Sequence, residues 1–171
     1  MQTGGEKSIT MELPELRRNR KMKVLAINNG RDRTAYTFIE GNKEGYFASS
    51  DFLTGNINEE IKELCKRLCP EEIILQLPPT GLDKRTQKAI QEGFGRNVAA
   101  AFSLNRHPVI KNLIRTRASL GCCRREQARE AFEPALNRDH LRRFSRRQQM
   151  QLINTVTLAY ESAEAAELGM S

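Results

Sequence analysis

The chain has 171 residues, 39% of them hydrophobic and 29% charged, a balance that fits one soluble globular domain and excludes a disordered or membrane-embedded chain. No apolar run approaches the ~20 residues that span a bilayer, no apolar signal core opens the chain, and the four Cys read as reduced thiols, so the expected compartment is the cytoplasm. The formal charge of +7 and pI near 9.5 favour a polyanionic partner.

Residues 1–22 combine Gly4-Gly5 with the basic cluster Arg17, Arg18, Arg20 and Lys21, and are expected to form a flexible basic arm ahead of one domain at 23–171. Val24 to Ile27 is a short apolar run, the pattern of a strand buried on both faces. Asn28-Asn29-Gly30 signals a tight turn, because Asn and Gly tolerate positive φ. Thr34 to Ile39, rich in β-branched and aromatic residues, reads as the antiparallel partner. Glu44 to Ala48 supplies a third strand, which completes a meander.

Asn58 is the expected N-cap of a helix through Cys69, with Ile61, Leu64, Cys65 and Leu68 at helical spacing and Pro70 as its stop. Glu72 to Leu77 is another short apolar strand, cut off by Pro78-Pro79-Thr80-Gly81, and it carries Gln76 near its end. Leu82 to about Leu104 is helical in pattern, weakened by Gly93 and Gly95. Those glycines are no dinucleotide fingerprint, since a helix precedes them where a strand is required. Pro108 to Ile110 with Leu113-Ile114 reads as a fifth strand. From Arg124 onward the pattern is helical, with a break at Pro134 to Asn137 and a last helix from the cap Ser145 to about Leu168. The order β-β-β-α-β-α-β-α predicts an α/β fold, a mixed five-stranded sheet flanked by helices.

Three segments carry a resemblance. Ala26-Ile27-Asn28-Asn29-Gly30, Ile74-Leu75-Gln76 and Glu161-Ser162-Ala163-Glu164-Ala165 resemble the signature segments of RuvC-type Holliday junction resolvases, in the RNase H-like nuclease superfamily. Ile73 to Pro78 and Arg117-Ala118-Ser119 are also similar to segments of the related YqgF-like branch. The family pattern is an Asp before the first turn, a Glu ending the fourth strand and Asp-x-x-Asp-Ala on the last helix. The resemblance implies a homodimeric, structure-selective endonuclease of DNA recombination and repair that cuts branched DNA with two Mg²⁺. It also implies a catalytic set of Asn28, Gln76, Glu161 and Glu164, with Asn28, Glu161 and Glu164 as metal ligands. Glu161 and Glu164 share a helix face at i, i+3, although an ordinary solvated acidic helix end has the same spacing.

The departure from the pattern bears on activity. Asn28 and Gln76 are uncharged where the family carries carboxylates. Losing one unit charge at ~4 Å costs on the order of 4 kcal/mol at an effective dielectric of ~20. The expected Mg²⁺ binding is therefore weak or absent, and hydrolysis impaired. Asp32, just past the turn, is an alternative source of charge. Two classes stay open: a silenced nuclease, and a non-catalytic nucleic-acid-binding or assembly module on the same fold.

Nucleic-acid binding has its own signal. Between Arg106 and Arg147 stand twelve Lys/Arg against four Asp/Glu. Arg138, Arg142, Arg143, Arg146 and Arg147 have helical spacings, and Arg115, Arg117, Arg124 and Arg125 form a second group; both suit phosphate contacts to a nucleic acid, DNA or RNA, and the resemblance makes branched or duplex DNA the expected partner. Cys65, Cys69, Cys122 and Cys123 are better explained by core packing than by a zinc site, and His107 and His140 join no catalytic arrangement.

Overall fold

The computed structural model describes residues 21–42, 45–111, 139 and 142–167, the last four of these as backbone only. The expected arm before residue 21, the Leu113-Ile114 part of the expected fifth strand, and the stretch from Arg124 with its expected break up to Asn137 lie outside the described residues. So do Cys122, Cys123, His140 and the arginines at 115, 117, 124, 125 and 138.

The centre of the fold is β1 (Met22–Asn29), whose Val24, Leu25 and Ala26 are fully buried. It pairs antiparallel with β2 (Thr34–Asn42), which pairs antiparallel with β3 (Gly45–Leu53). The turn from β1 to β2 is closed by the Gly30 N–H donating to the Arg33 carbonyl at 2.8 Å. Helix α1 (Ile57–Leu68) returns the chain to β4 (Glu72–Gln76), parallel to β1. Helix α2 (Lys84–Ser103) leads to β5 (Val109–Lys111), parallel to β4, and α3 (Arg146–Glu167) ends the described chain. The strand order is β3-β2-β1-β4-β5, the expected mixed five-stranded sheet.

Strand alternation sorts the core into two clusters. Val24, Ala26, Ile39, Phe52 and Ile74 pack with Leu152, Val156, Ala159 and Ala163 of α3. Leu25, Ile27, Phe38, Ile73 and Leu75 pack on the other face with Ile61, Leu64 and Cys65 of α1 and Ala100 of α2. One face of the sheet therefore belongs to α3, and the opposite face to α1 and α2.

Helix ends differ from expectation by local chemistry. Asn56, two residues before the expected cap, accepts from the Glu59 N–H at 3.3 Å and starts α1. Cys69 closes that helix in the left-handed conformation (φ 49°) just before Pro70. Asp83 caps α2, so Leu82 stays outside the helix. Gly93 and Gly95 do not break α2. At Gly93 a Cβ would lie 3.0 Å from Asn29 Oδ1, so the residue is small because the helix runs close to the sheet. Ser145 is the predicted cap of α3 and forms a reciprocal pair. Its Oγ accepts from the Gln148 N–H at 3.2 Å, and Gln148 Oε1 accepts from the Ser145 N–H at 3.0 Å.

Candidate functional site

Parallel pairing brings two of the predicted residues together. The register runs Val24 to Glu72 through Ile27 to Leu75, and one further step sets Asn28 beside Gln76 on strands about 4.8 Å apart. Asn28 follows Val24 and Ala26 in alternation, and Gln76 follows Ile74, so both belong to the α3 face. Asn28 is 6% exposed. The Gln76 Oε1 is buried and has no hydrogen-bond partner among the described residues, a state that costs on the order of 1–3 kcal/mol unless something donates to it. Beside Gln76 in β5 stands Lys111, whose Nζ donates to Ser162 Oγ at 3.1 Å. Sequence reading counted Lys111 only within the basic total.

At the end of β1 the α3 residue that hydrogen-bonds the strand is Gln151. Its Nε2 donates to two backbone carbonyls, Asn28 O and Arg33 O, each at 3.0 Å. The fit is close: a Cβ on Gly30 would stand 2.6 Å from Gln151 Oε1. Gln151 thereby ties the β1–β2 turn to the first turns of α3.

Two ring contacts fix the direction of that helix. Phe144 lies 5.0 Å from Phe52, which pairs with Ala35, the partner of Asn28. Tyr160 lies 5.6 Å from Tyr46, which pairs with Gly41, the partner of Met22. So α3 begins over the carboxyl end of β1 and runs back toward its amino end. Glu161 is therefore set apart from Asn28 along the helix, while its neighbour Ser162 is bonded by Lys111 beside Gln76. Glu161 is ten residues past Gln151, about 15 Å along the helix. It also stands two residues from both Ala159 and Ala163, which pack on the sheet, and is thus turned about 160° away from them. Glu161 is buried there, and the Glu164 side chain lies outside the described residues.

A signal for Gln151 was present in the sequence. Gln148-x-x-Gln151 has the i, i+3 spacing of the family pattern and sits directly after the cap Ser145. A search for carboxylates passes over it.

The donor set does not fit two Mg²⁺. Such ions want anionic oxygens, and Asn28, Gln76, Gln148 and Gln151 bring none. The Gln148 oxygen is engaged with the Ser145 N–H, and the Gln151 amide turns its nitrogen to the carbonyls. Asp32 is 83% exposed and lies 4.0 Å from Arg31 on the turn. Among the described residues, no group of three or more His, Cys, Asp or Glu could hold a metal ion.

Positive charge gathers at the same edge. Arg142, Arg143, Arg146 and Arg147 are exposed and flank the start of α3, with Arg142 lying 3.8 Å from Asp139. The Arg33 guanidinium stands 5.6 Å from the Phe52 ring and 5.7 Å from Phe144, a cation–π arrangement that presents a further cation beside Gln151. Away from this edge, burial pushes the Cys65 thiol above its ordinary pKa, with the nearby Arg106 pulling the other way, as befits a packing residue. No helix among the described residues is long and apolar enough to cross a membrane.

The sequence matches no protein-family model and no curated protein. Solved structures do match. RuvC of Thermus thermophilus in complex with a Holliday junction substrate superposes with a TM-score of 0.63 at 15% identity, over 87% of this chain and 97% of that one. A second Thermus thermophilus RuvC structure gives 0.62 at 14% identity, over 87% and 98%. The strand order, the parallel β4 and β5 and the α3 layer are thus the RNase H-like fold of RuvC, and this chain has that fold.

Proposed function

We propose that this chain is a resolvase-like protein that binds branched DNA and does not hydrolyse it. The observation that carries the reading is Gln151, an amide bonded to two backbone carbonyls at the point where α3 meets β1. Two-metal hydrolysis uses anionic ligands to hold a pair of cations against the attacking and leaving oxygens. The positions at this edge that correspond in placement or spacing to the family pattern are Asn28, Gln76, Gln148 and Gln151, all neutral.

At residue 151 the amide also does something a carboxylate cannot, since an ionised carboxylate donates no hydrogen bond to a carbonyl. That favours a chain shaped around its amides over an enzyme silenced by isolated replacements. The net charge of +7, the four exposed arginines at the start of α3 and the likeness to a RuvC seen with a Holliday junction substrate support nucleic acid as the ligand. The homodimer and the basic role of residues 1–22 belong to the same proposal.

The test is binding and cleavage of a four-way junction and a plain duplex, each with Mg²⁺ and with EDTA. Junction binding of equal strength in both buffers, without cleavage, is the expected result. Mg²⁺-dependent cutting by the unaltered chain would overturn the reading, and so would the absence of binding to either DNA. In the sedimentation profile the proposed dimer appears at twice the chain mass of 19.5 kDa.

A further inference from the structure

The opposite face of the same edge carries a cleft that the amide site does not use. Its volume is about 240 Å³, and it lies between the β1–β2 turn, the Thr54-Gly55 link after β3, and α2. The floor is made of small residues, Ala89 and Gly93, one helical turn apart. Asn29 fixes its inner wall. The Asn29 Oδ1 accepts from Thr34 Oγ1 at 2.9 Å and abuts Gly93.

The rim is basic, with Arg31, Arg33 and Arg96 against the single acid Asp32. The Arg33 guanidinium turns to the α3 face, which leaves Arg31 and Arg96 as the cations that address the cleft. Arg31 approaches Asp32 only to 4.0 Å, with Asp32 in open solvent, and also lies near the exposed Asp83 cap; such exposed contacts hold an arginine weakly. Arg96 is exposed. Arg85, four residues before Ala89, extends the same face of α2. The first turn of α2 adds Lys84 and Arg85 to this side of the molecule, with the Asp83 cap as the acid at that helix end.

We propose that this cleft grips a backbone phosphate of a second nucleic-acid strand, so that strands are held on both faces of one sheet edge. The inference rests on the branched-DNA reading and deepens it by giving a source of structure selectivity. Arginine forks suit a phosphodiester, and a floor of Ala and Gly lets a sugar–phosphate chain approach the backbone. Through Arg33 the cleft is continuous with the arginines at the start of α3. A duplex lying along one face engages one set of cations. A junction sends strands apart and can engage both.

The experiment compares Arg31→Ala/Arg96→Ala with Arg142→Ala/Arg143→Ala, on a four-way junction and on plain duplex, over a range of salt. With each phosphate contact adding about 0.9 to the slope of log K against log salt, the first pair should flatten the junction slope by about 1 to 2 and weaken junction binding about tenfold. Duplex binding should stay as in the parent, whereas the second pair should weaken both ligands. All four arginines are exposed, so the variants keep the core. Ala89→Leu, which fills the floor without changing charge, should reproduce the selective loss. An unchanged junction slope, or equal loss on junction and duplex, would overturn the cleft. Failure of the parent chain to bind either DNA would instead sink the branched-DNA reading itself.

Discussion

Asn28 and Asn29 are neighbours in β1 and lead into different chemistries. Asn28 faces α3, where its own carbonyl and that of Arg33 are bonded by the Gln151 amide and a Gly30 Cβ would collide. Asn29 faces α2, where it is held by Thr34, lies against Gly93 and borders a cleft rimmed with arginine. One face of the edge is knitted shut by neutral amides, with its arginines around them. The other is charged and open. Because side chains alternate along a strand, a single turn supplies both, and a one-residue slip of register would exchange them.

The strongest way to break the comparison is to put charge on the closed face. Gln151→Glu would set a carboxylate against two carbonyl oxygens and should cost about 2 kcal/mol at neutral pH, read by urea denaturation. The sign with pH is fixed. The new carboxyl would have its folded-state pKa raised by the facing carbonyls, so the penalty is present at neutral pH and shrinks as pH falls and the group protonates. A variant as stable as the parent at pH 7 would mean that the two amide bonds do not hold the turn.

Next in size is the start of α3. Ser145→Ala removes one half of the reciprocal cap with Gln148 and should cost about 1 kcal/mol. If the α3 face depends on how that helix begins, the same change should also weaken duplex binding, because it loosens the turn that presents Arg146 and Arg147. Undiminished duplex affinity would separate the cap from the binding surface.

On the open face a smaller effect is expected from Gly93→Ala. Alanine gains roughly 0.5–1 kcal/mol inside a helix, and the approach of Asn29 Oδ1 to 3.0 Å opposes the gain, so the net change should fall within about 0.5 kcal/mol. A loss well beyond that would mean the floor of the cleft is more rigid than the end of a side chain. The smallest effect concerns Asp83, whose carboxyl is held below its ordinary pKa by its hydrogen bonds to Thr86, with Arg31 nearby. A depressed acid stabilises above its unfolded pKa and loses that contribution as pH falls through the folded value. Asp83→Asn keeps a capping oxygen, so any difference from the parent should be confined to neutral pH and vanish in acid.

Much of the sheet was legible because burial on both faces writes a distinctive run, as in Val24 to Ile27 and Ile73 to Leu75, and because turn residues separate the strands. The strand-end residues Asn28 and Gln76 were legible for the same reason. The α3 contribution was not. Spacing at i, i+3 describes Glu161 with Glu164 and Gln148 with Gln151 equally well, and periodicity does not say which end of a helix lies over which end of a sheet. Only the cap at Ser145 located the start of that helix, and carboxylates drew the eye past it. Asn56 and Asn58 are likewise indistinguishable as caps until the backbone shows which one leaves the Glu59 N–H within reach. The cleft was illegible for a further reason: Arg31 and Arg96 are far apart in the chain and meet only across the turn.

Gln151 also bonds Asn28 across 123 residues of chain. Among the described residues, six of the thirteen buried in the α3-side core come from α3 itself, whereas those of the opposite core all lie at or before Leu104. A polypeptide emerging from the ribosome can therefore build one side of its sheet long before the other. Until that helix has been synthesised and docked, Val24, Ile39 and Ile74 lack its cover, a surface for a chaperone to shield and for other nascent chains to stick to. The residue that latches the site is thus synthesised after the described opposite core.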